Sequence, residues 1–133
     1  MSEHADGLKR RIGGLAVAVL RFVRGLPGDV ATDSVIRQVA RSAASVSANY
    51  RAACCGRSRQ EFIARLGVAV EEADETTHWL WMAAQLSLGN SHELARLTQE
   101  AREVQAILSA SLSTARRNHQ RAQSARRQKP TTR

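Results

Sequence analysis

Four acidic side chains, Glu71, Glu72, Asp74 and Glu75, crowd into five positions, and His78 follows Glu75 by three. Glu-x-x-His is the pair that carboxylate-bridged di-metal bundles place on two of their helices, with a glutamate from each of two more. This chain has one such pair. His92 and His119 have no glutamate three residues before them, and His4 lies too near the terminus. A full di-metal site therefore cannot be assembled within one chain, and no metal or cofactor is expected.

Other catalytic arrangements fare no better. The sequence has no glycine-rich phosphate loop and no Ser-His-Asp grouping. Cys54 and Cys55 are adjacent. A vicinal pair closes no useful loop and lacks the spacing of a zinc site, and no base is indicated that would activate either thiol. The sequence predicts a protein that is not an enzyme.

The second chemical feature is cationic. Arg116, Arg117, Arg121, Arg126, Arg127, Lys129 and Arg133 fall in the last 18 residues, which contain no acid. This segment holds +7 of the net charge of +8. Arginines suit phosphate contacts, and their approximately helical spacing suggests a basic rod. No aromatic residue accompanies them, so shape and charge, not base stacking, would govern binding. Arg51, Arg57 and Arg59 form a second basic group around an expected turn. Nucleic acid, either RNA or DNA, is the partner this pattern suggests. The alternative is a protein-interaction module whose tail serves solubility.

The body is nearly neutral but divided. Residues 37–65 carry +5 and residues 66–115 carry −5. Such a dipolar layout suits helices matched to each other or to another subunit.

A chain of 133 residues with 43% hydrophobic and 24% charged residues is one ordinary globular domain. Two prolines and five aromatics argue against sandwiches and barrels. Lys9-Arg10-Arg11 before the apolar run 12–20 imitates a signal peptide, but Arg21 and Arg24 interrupt the stretch beyond that run. No membrane span and a cytoplasmic location are expected.

Four helices must position these groups. Leu8, Ile12, Leu15, Val19, Phe22 and Leu26 step by fours and threes up to Leu26-Pro27-Gly28. Ile36, Val39, Ala43, Val46, Tyr50 and Ala53 form a second stripe, with Thr32 or Asp33 as its N-cap. Ser58-Arg59-Gln60-Glu61 reads as a capping box. Phe62, Leu66, Ala69, Ala73, Thr76, Leu80 and Ala83 come after it. Asn90, with Glu93 three residues on, opens the last stripe: Leu94, Leu97, Ala101, Val104, Leu108 and Ser111. The third helix reads as the longest, at about 30 residues or ~45 Å. Seven-residue repeats and short links predict an all-α, antiparallel up-down-up-down four-helix bundle over 1–115. A basic helix extension or disordered tail is expected over 116–133. The second helix is rich in small residues and the first has an over-wide apolar face (Val17 and Leu20 among it), which hints at a homo-oligomer.

If the second and third helices form a hairpin about residue 56, Arg41 falls near Glu71 and Arg37 near Glu75. Ion pairs there would set register more than stability.

The stretch from Gln38 to Leu80 resembles the four-helix family of proteins encoded in 23S rRNA intervening sequences. That family is related to the accessory variability determinant of diversity-generating retroelements. The resemblance rests on Gln38, Arg41, Ala43, Ser45, Val46, Ala48 and Asn49, then Gly56-Arg57-Ser58 with Glu61-Phe62, continuing through Leu66, Ala69, Glu75 and Leu80. Ala52-Ala53 stands where the family has Glu-Gly, and Glu71-Glu72 where it has Gly-Ser. The resemblance implies a four-helix protomer, a ring-like homopentamer and no catalysis. For the retroelement branch it implies binding of nucleic acid and a reverse transcriptase. Arg41, Ser45, Asn49, Arg57 and Glu75 carry over as structural or interface positions.

Overall fold

The structure, a computed structural model, describes residues 2–131. It contains α1 (Glu3–Arg24), α2 (Val30–Cys54), α3 (Arg59–Gln85) and α4 (Ser91–Arg127). Each helix packs on its sequence neighbours and α1 closes on α4, while among the described residues the backbones of the diagonal helix pairs stand farther apart. This is the up-down-up-down bundle that short links between amphipathic helices dictate.

Most of the stripe residues read from the sequence are buried, but Leu26, Ile36 and Phe62 are only half-buried, and Val35 enters the core in place of Ile36. Ile12, Val19, Val39, Leu66, Leu80, Val104 and Leu108 have essentially no exposure. Leu112, not Ser111, ends the stripe of α4. The two polar side chains in the core, Ser42 and Thr76, donate to carbonyls one turn back, Gln38 at 2.8 Å and Glu72 at 2.8 Å. A hydroxyl satisfied this way is buried at little cost. Alanines 43, 73 and 101 draw the helices together at mid-height, around a residual cavity of about 10 Å³.

The helix ends are set by side-chain chemistry. Asp29, not Thr32 or Asp33, is the N-cap of α2. Its carboxylate accepts from the amides of Ala31 and Thr32, while the Thr32 hydroxyl accepts from the Asp29 amide. Thr32 thus occupies the third helical position of a capping box, and α2 starts earlier than its stripe suggested. At α3, Ser58 Oγ accepts from the Glu61 amide at 3.1 Å. The Glu61 carboxylate reaches one residue further back than in the usual box, to the Arg57 amide at 2.8 Å.

Gly89 turns the chain from α3 into α4 with φ +66°, the left-handed region where glycine is unstrained. A Cβ there would meet Phe22 and Leu26 at under 3 Å. The α3–α4 link therefore sits against the end of α1, and the α1–α2 and α3–α4 links share one end of the bundle. The α2–α3 turn lies at the opposite end.

At 37 residues α4, not α3 with 27, is the longest helix. It spans roughly 55 Å. The basic segment is a continuation of this helix through Arg127, capped at Gln128. Arg133 lies outside the described residues. The α1–α4 seam is the loosest of the four. A groove of about 480 Å³ opens there beside Gly14, Leu15, Ala18 and Leu97. No helix among the described residues is long and apolar enough to cross a membrane.

Candidate nucleic-acid interface

Two arginine clamps hold the helix pairs in register. Arg41 of α2 reaches Glu72 at 3.1 Å and also Glu75 of α3, and Gln38 accepts from its Nε at 3.0 Å. The expected Arg41–Glu71 and Arg37–Glu75 pairs are not formed. A link of four residues, 55–58, displaces the register from the symmetric turn assumed. Glu72 and Glu75, three apart, share the α2-facing side of α3 beside Thr76, whereas Glu71 is turned outward and exposed. Ser45 and Asn49 stay within α2, where the Asn49 amide donates to the Ser45 carbonyl at 2.9 Å and to its hydroxyl at 3.0 Å. On the other side of the bundle, Arg11 forks onto Glu100 at 2.6 and 3.1 Å and onto Glu103 at 2.9 Å, across the α1–α4 groove. Sequence reading missed this clamp, although Glu100 and Glu103 share a face.

The Arg41 guanidinium, and secondly the Trp79 indole, hold the Glu75 carboxyl below its ordinary 4.5. Arg11 does the same for Glu100. A carboxyl depressed by folding contributes its full stability above the unfolded value and loses it as pH falls through the folded one. Thermal stability is expected to hold from neutrality to about pH 5 and to decline below it. Melts of the wild type, Glu75→Gln and Glu100→Gln across that range check this. The variants should show shallower acid slopes, and identical slopes would mean that neither clamp contributes to acid sensitivity.

Three of the four acids in the cluster are engaged by protein partners. Besides the two glutamates on Arg41, Asp74 accepts from the Gln105 amide at 2.9 Å, and the His78 ring lies against Trp79 and near Trp81. No group of three or more His, Cys, Asp or Glu side chains able to hold a metal ion occurs among the described residues. Cys54 is half-buried and Cys55 exposed, both as free thiols. Burial, and next the neighbouring Cys54, raises the Tyr50 phenol above its ordinary value.

The basic groups gather at the α2–α3 end. Arg51, Arg57, Arg59, Arg116, Arg117, Arg121, Arg126 and Arg127 are all exposed. Arg59 Nη1 donates to the carbonyl of Asn118 at 3.5 Å, a long bond that places the start of α3 level with Asn118. The last two turns of α4 therefore overhang the bundle. The helical arginines do not share one face. At 3.6 residues per turn Arg116 and Arg127 lie on one side, and Arg117 and Arg121 on another. Arg126 continues the inward stripe, which runs Leu108, Leu112, Ala115, His119, Ala122, Arg126. That stripe changes from aliphatic to polar where the bundle ends. Arg126 and His119 thereby meet Arg59 around one notch of about 450 Å³. Sequence reading assigned Arg59 and Arg126 to separate groups and gave His119 no part in either. The continued three-four stepping was the signal that could have joined them.

Fold and charge together define a four-helix bundle with a cationic overhang at one end. A family model described as 23S rRNA-intervening sequence protein matches residues 10–110. The chain belongs to that family. Among solved structures it is similar to a protein of unknown function from the S23 ribosomal protein family of Bacteroides thetaiotaomicron VPI-5482. The two are 22% identical, with a TM-score of 0.71, over 82% of this chain and 97% of the other. That likeness concerns the fold. Among curated proteins there is no match.

Proposed function

We propose that this protein is a non-enzymatic, oligomeric accessory or scaffold protein that binds nucleic acid through the basic surface at the α2–α3 end. One observation carries the reading. Arginines distant in sequence, Arg59 and Arg126, converge on a concave surface whose lining residues include no carboxylate. A solubilising tail would need no such convergence, because dispersed charge suffices for solubility. The family's description refers to 23S rRNA intervening sequences, so structured RNA is the first candidate and duplex DNA the second.

Self-association is part of the proposal, and a pentamer is what the family resemblance implies. Val17 and Leu20 on α1 and Trp81 on α3 are each 40–50% exposed. Large apolar side chains on the outside of a bundle suit packing against further copies of the chain, or against a partner protein such as a reverse transcriptase.

The test titrates labelled structured RNA and duplex DNA with the full chain and with a chain ending at Ala115, over several salt concentrations. Salt-steep binding that weakens on truncation supports the reading. No binding by the full chain to either nucleic acid overturns it in favour of a protein-interaction module.

A further inference from the structure

The notch between the first turn of α3 and the overhang of α4 has features that a merely charged surface lacks. Its volume falls within the roughly 300–1,000 Å³ of small-ligand clefts. Ser58, Arg59 and Gln60 form one wall, and His119, Gln123 and Arg126 the other. The nearest acidic side chain in sequence, Glu61, has its carboxylate on the Arg57 amide and is not among the lining residues.

Both guanidiniums have donors to spare. Arg59 makes its one long bond to Asn118, and Arg126 makes no side-chain bond among the described residues. Gln123 Nε2 and His119 Nε2 are 3.1 Å apart. With the amide donating, that ring nitrogen is the acceptor and the imidazole proton sits on Nδ1, where it is a donor. Two guanidiniums, an imidazole N–H, a serine hydroxyl and two side-chain amides thus surround one space from two elements.

We propose that this notch is a phosphate-binding subsite that seats a single phosphate group of a nucleic-acid strand. Arg59 and Arg126 grip it from opposite walls, and His119 and the amides of Gln60 and Gln123 complete the donor set. A tetrahedral anion presents oxygens to both walls at once, whereas a planar carboxylate presents one edge. The inference rests on the nucleic-acid reading and deepens it by locating the phosphate and giving His119 a role.

Two measurements on the full chain test it. In the first, inorganic phosphate replaces chloride at constant ionic strength and neutral pH while the imidazole resonances are followed by NMR. His119 is expected to shift saturably, with His78 and His92 unmoved, and Arg59→Ala should abolish the shift. Movement of His119 no larger than that of the other histidines overturns the site.

In the second, oligonucleotides with and without a 5′-phosphate are titrated against charge-preserving variants. Arg59→Lys and Arg126→Lys are expected to lose about tenfold in affinity, and Arg117→Lys and Arg121→Lys almost nothing. A preference for the 5′-phosphorylated strand identifies a terminal phosphate as the occupant, and equal affinities identify a backbone phosphate. Indifference of all four positions to lysine overturns the notch while leaving diffuse nucleic-acid binding intact. If the wild type binds no oligonucleotide, the wider reading fails and the phosphate titration alone decides the notch.

Discussion

Leu108→Ala is expected to destabilise the bundle by about 3 kcal/mol, within the 2–5 kcal/mol range of such core truncations. Leu108 has no solvent exposure and sits one turn before Leu112, the last leucine of the inward stripe of α4. Truncation there leaves a void among close-packed side chains. Helix approach at mid-height is already set by Ala43, Ala73 and Ala101, which leave a small cavity between them. A further void therefore adds its cost to the lost transfer energy. For a chain of this size the melting temperature should fall by roughly 10 °C. Leu20→Ala, at 41% exposure, is the matched control and should stay within about 0.5 kcal/mol for the isolated protomer. A Leu108→Ala protein that melts within a degree or two of the wild type would show that the overhang of α4 is not tied to the core through this residue.

The second large effect concerns salt. Seven cations meeting duplex phosphates would give a log–log slope near −6, at about −0.9 per phosphate. The helical geometry lowers that expectation. A rigid rod presents one side to a duplex, and Arg117 and Arg121 lie roughly 140–180° around α4 from Arg126, with Arg116 and Arg127 in between. With Arg59 and Arg126 added to the latter pair and sharing one phosphate between them, about three phosphate contacts and a slope near −3 are expected. Ending the chain at Ala115 removes Arg116, Arg126 and Arg127 and leaves only the Arg59 contact, so the slope should fall towards −1. At about 50 mM salt the loss of affinity should be on the order of a hundredfold or more. A full-chain slope of −6 would mean that the nucleic acid wraps the rod. An unchanged slope on truncation would move the interface to Arg51, Arg57 and Arg59.

Much of this fold was legible because its signals are local. The three-four stepping of Leu94, Leu97, Ala101, Val104 and Leu108 identifies both the helix and its buried face without knowledge of any partner. Leu26-Pro27-Gly28 and Ser58 mark ends for the same reason. What escaped was relational. The choice of Asp29 over Thr32 as N-cap depends on which of two competing oxygens the first amides meet. The Arg41 partners depend on how a short link offsets two helices, and an offset of one residue exchanges Glu71 for Glu72. The notch depends on two segments more than 60 residues apart lying side by side. Charge counting found Arg59 and Arg126 but had no means of bringing them together.

The loose seam between α1 and α4 has a consequence for how the molecule comes apart. α1 is packed well on one side only. On the other it is held across a groove by the Arg11 fork, whose exposed ion pairs contribute little and weaken with salt. α2, α3 and α4 are joined successively by broader contacts. Amide hydrogens of α1 should therefore exchange with solvent deuterium through a partial opening that leaves the other three helices protected. The free energy of that opening should fall as ionic strength rises, so that α1 behaves as the detachable stave of an otherwise intact barrel.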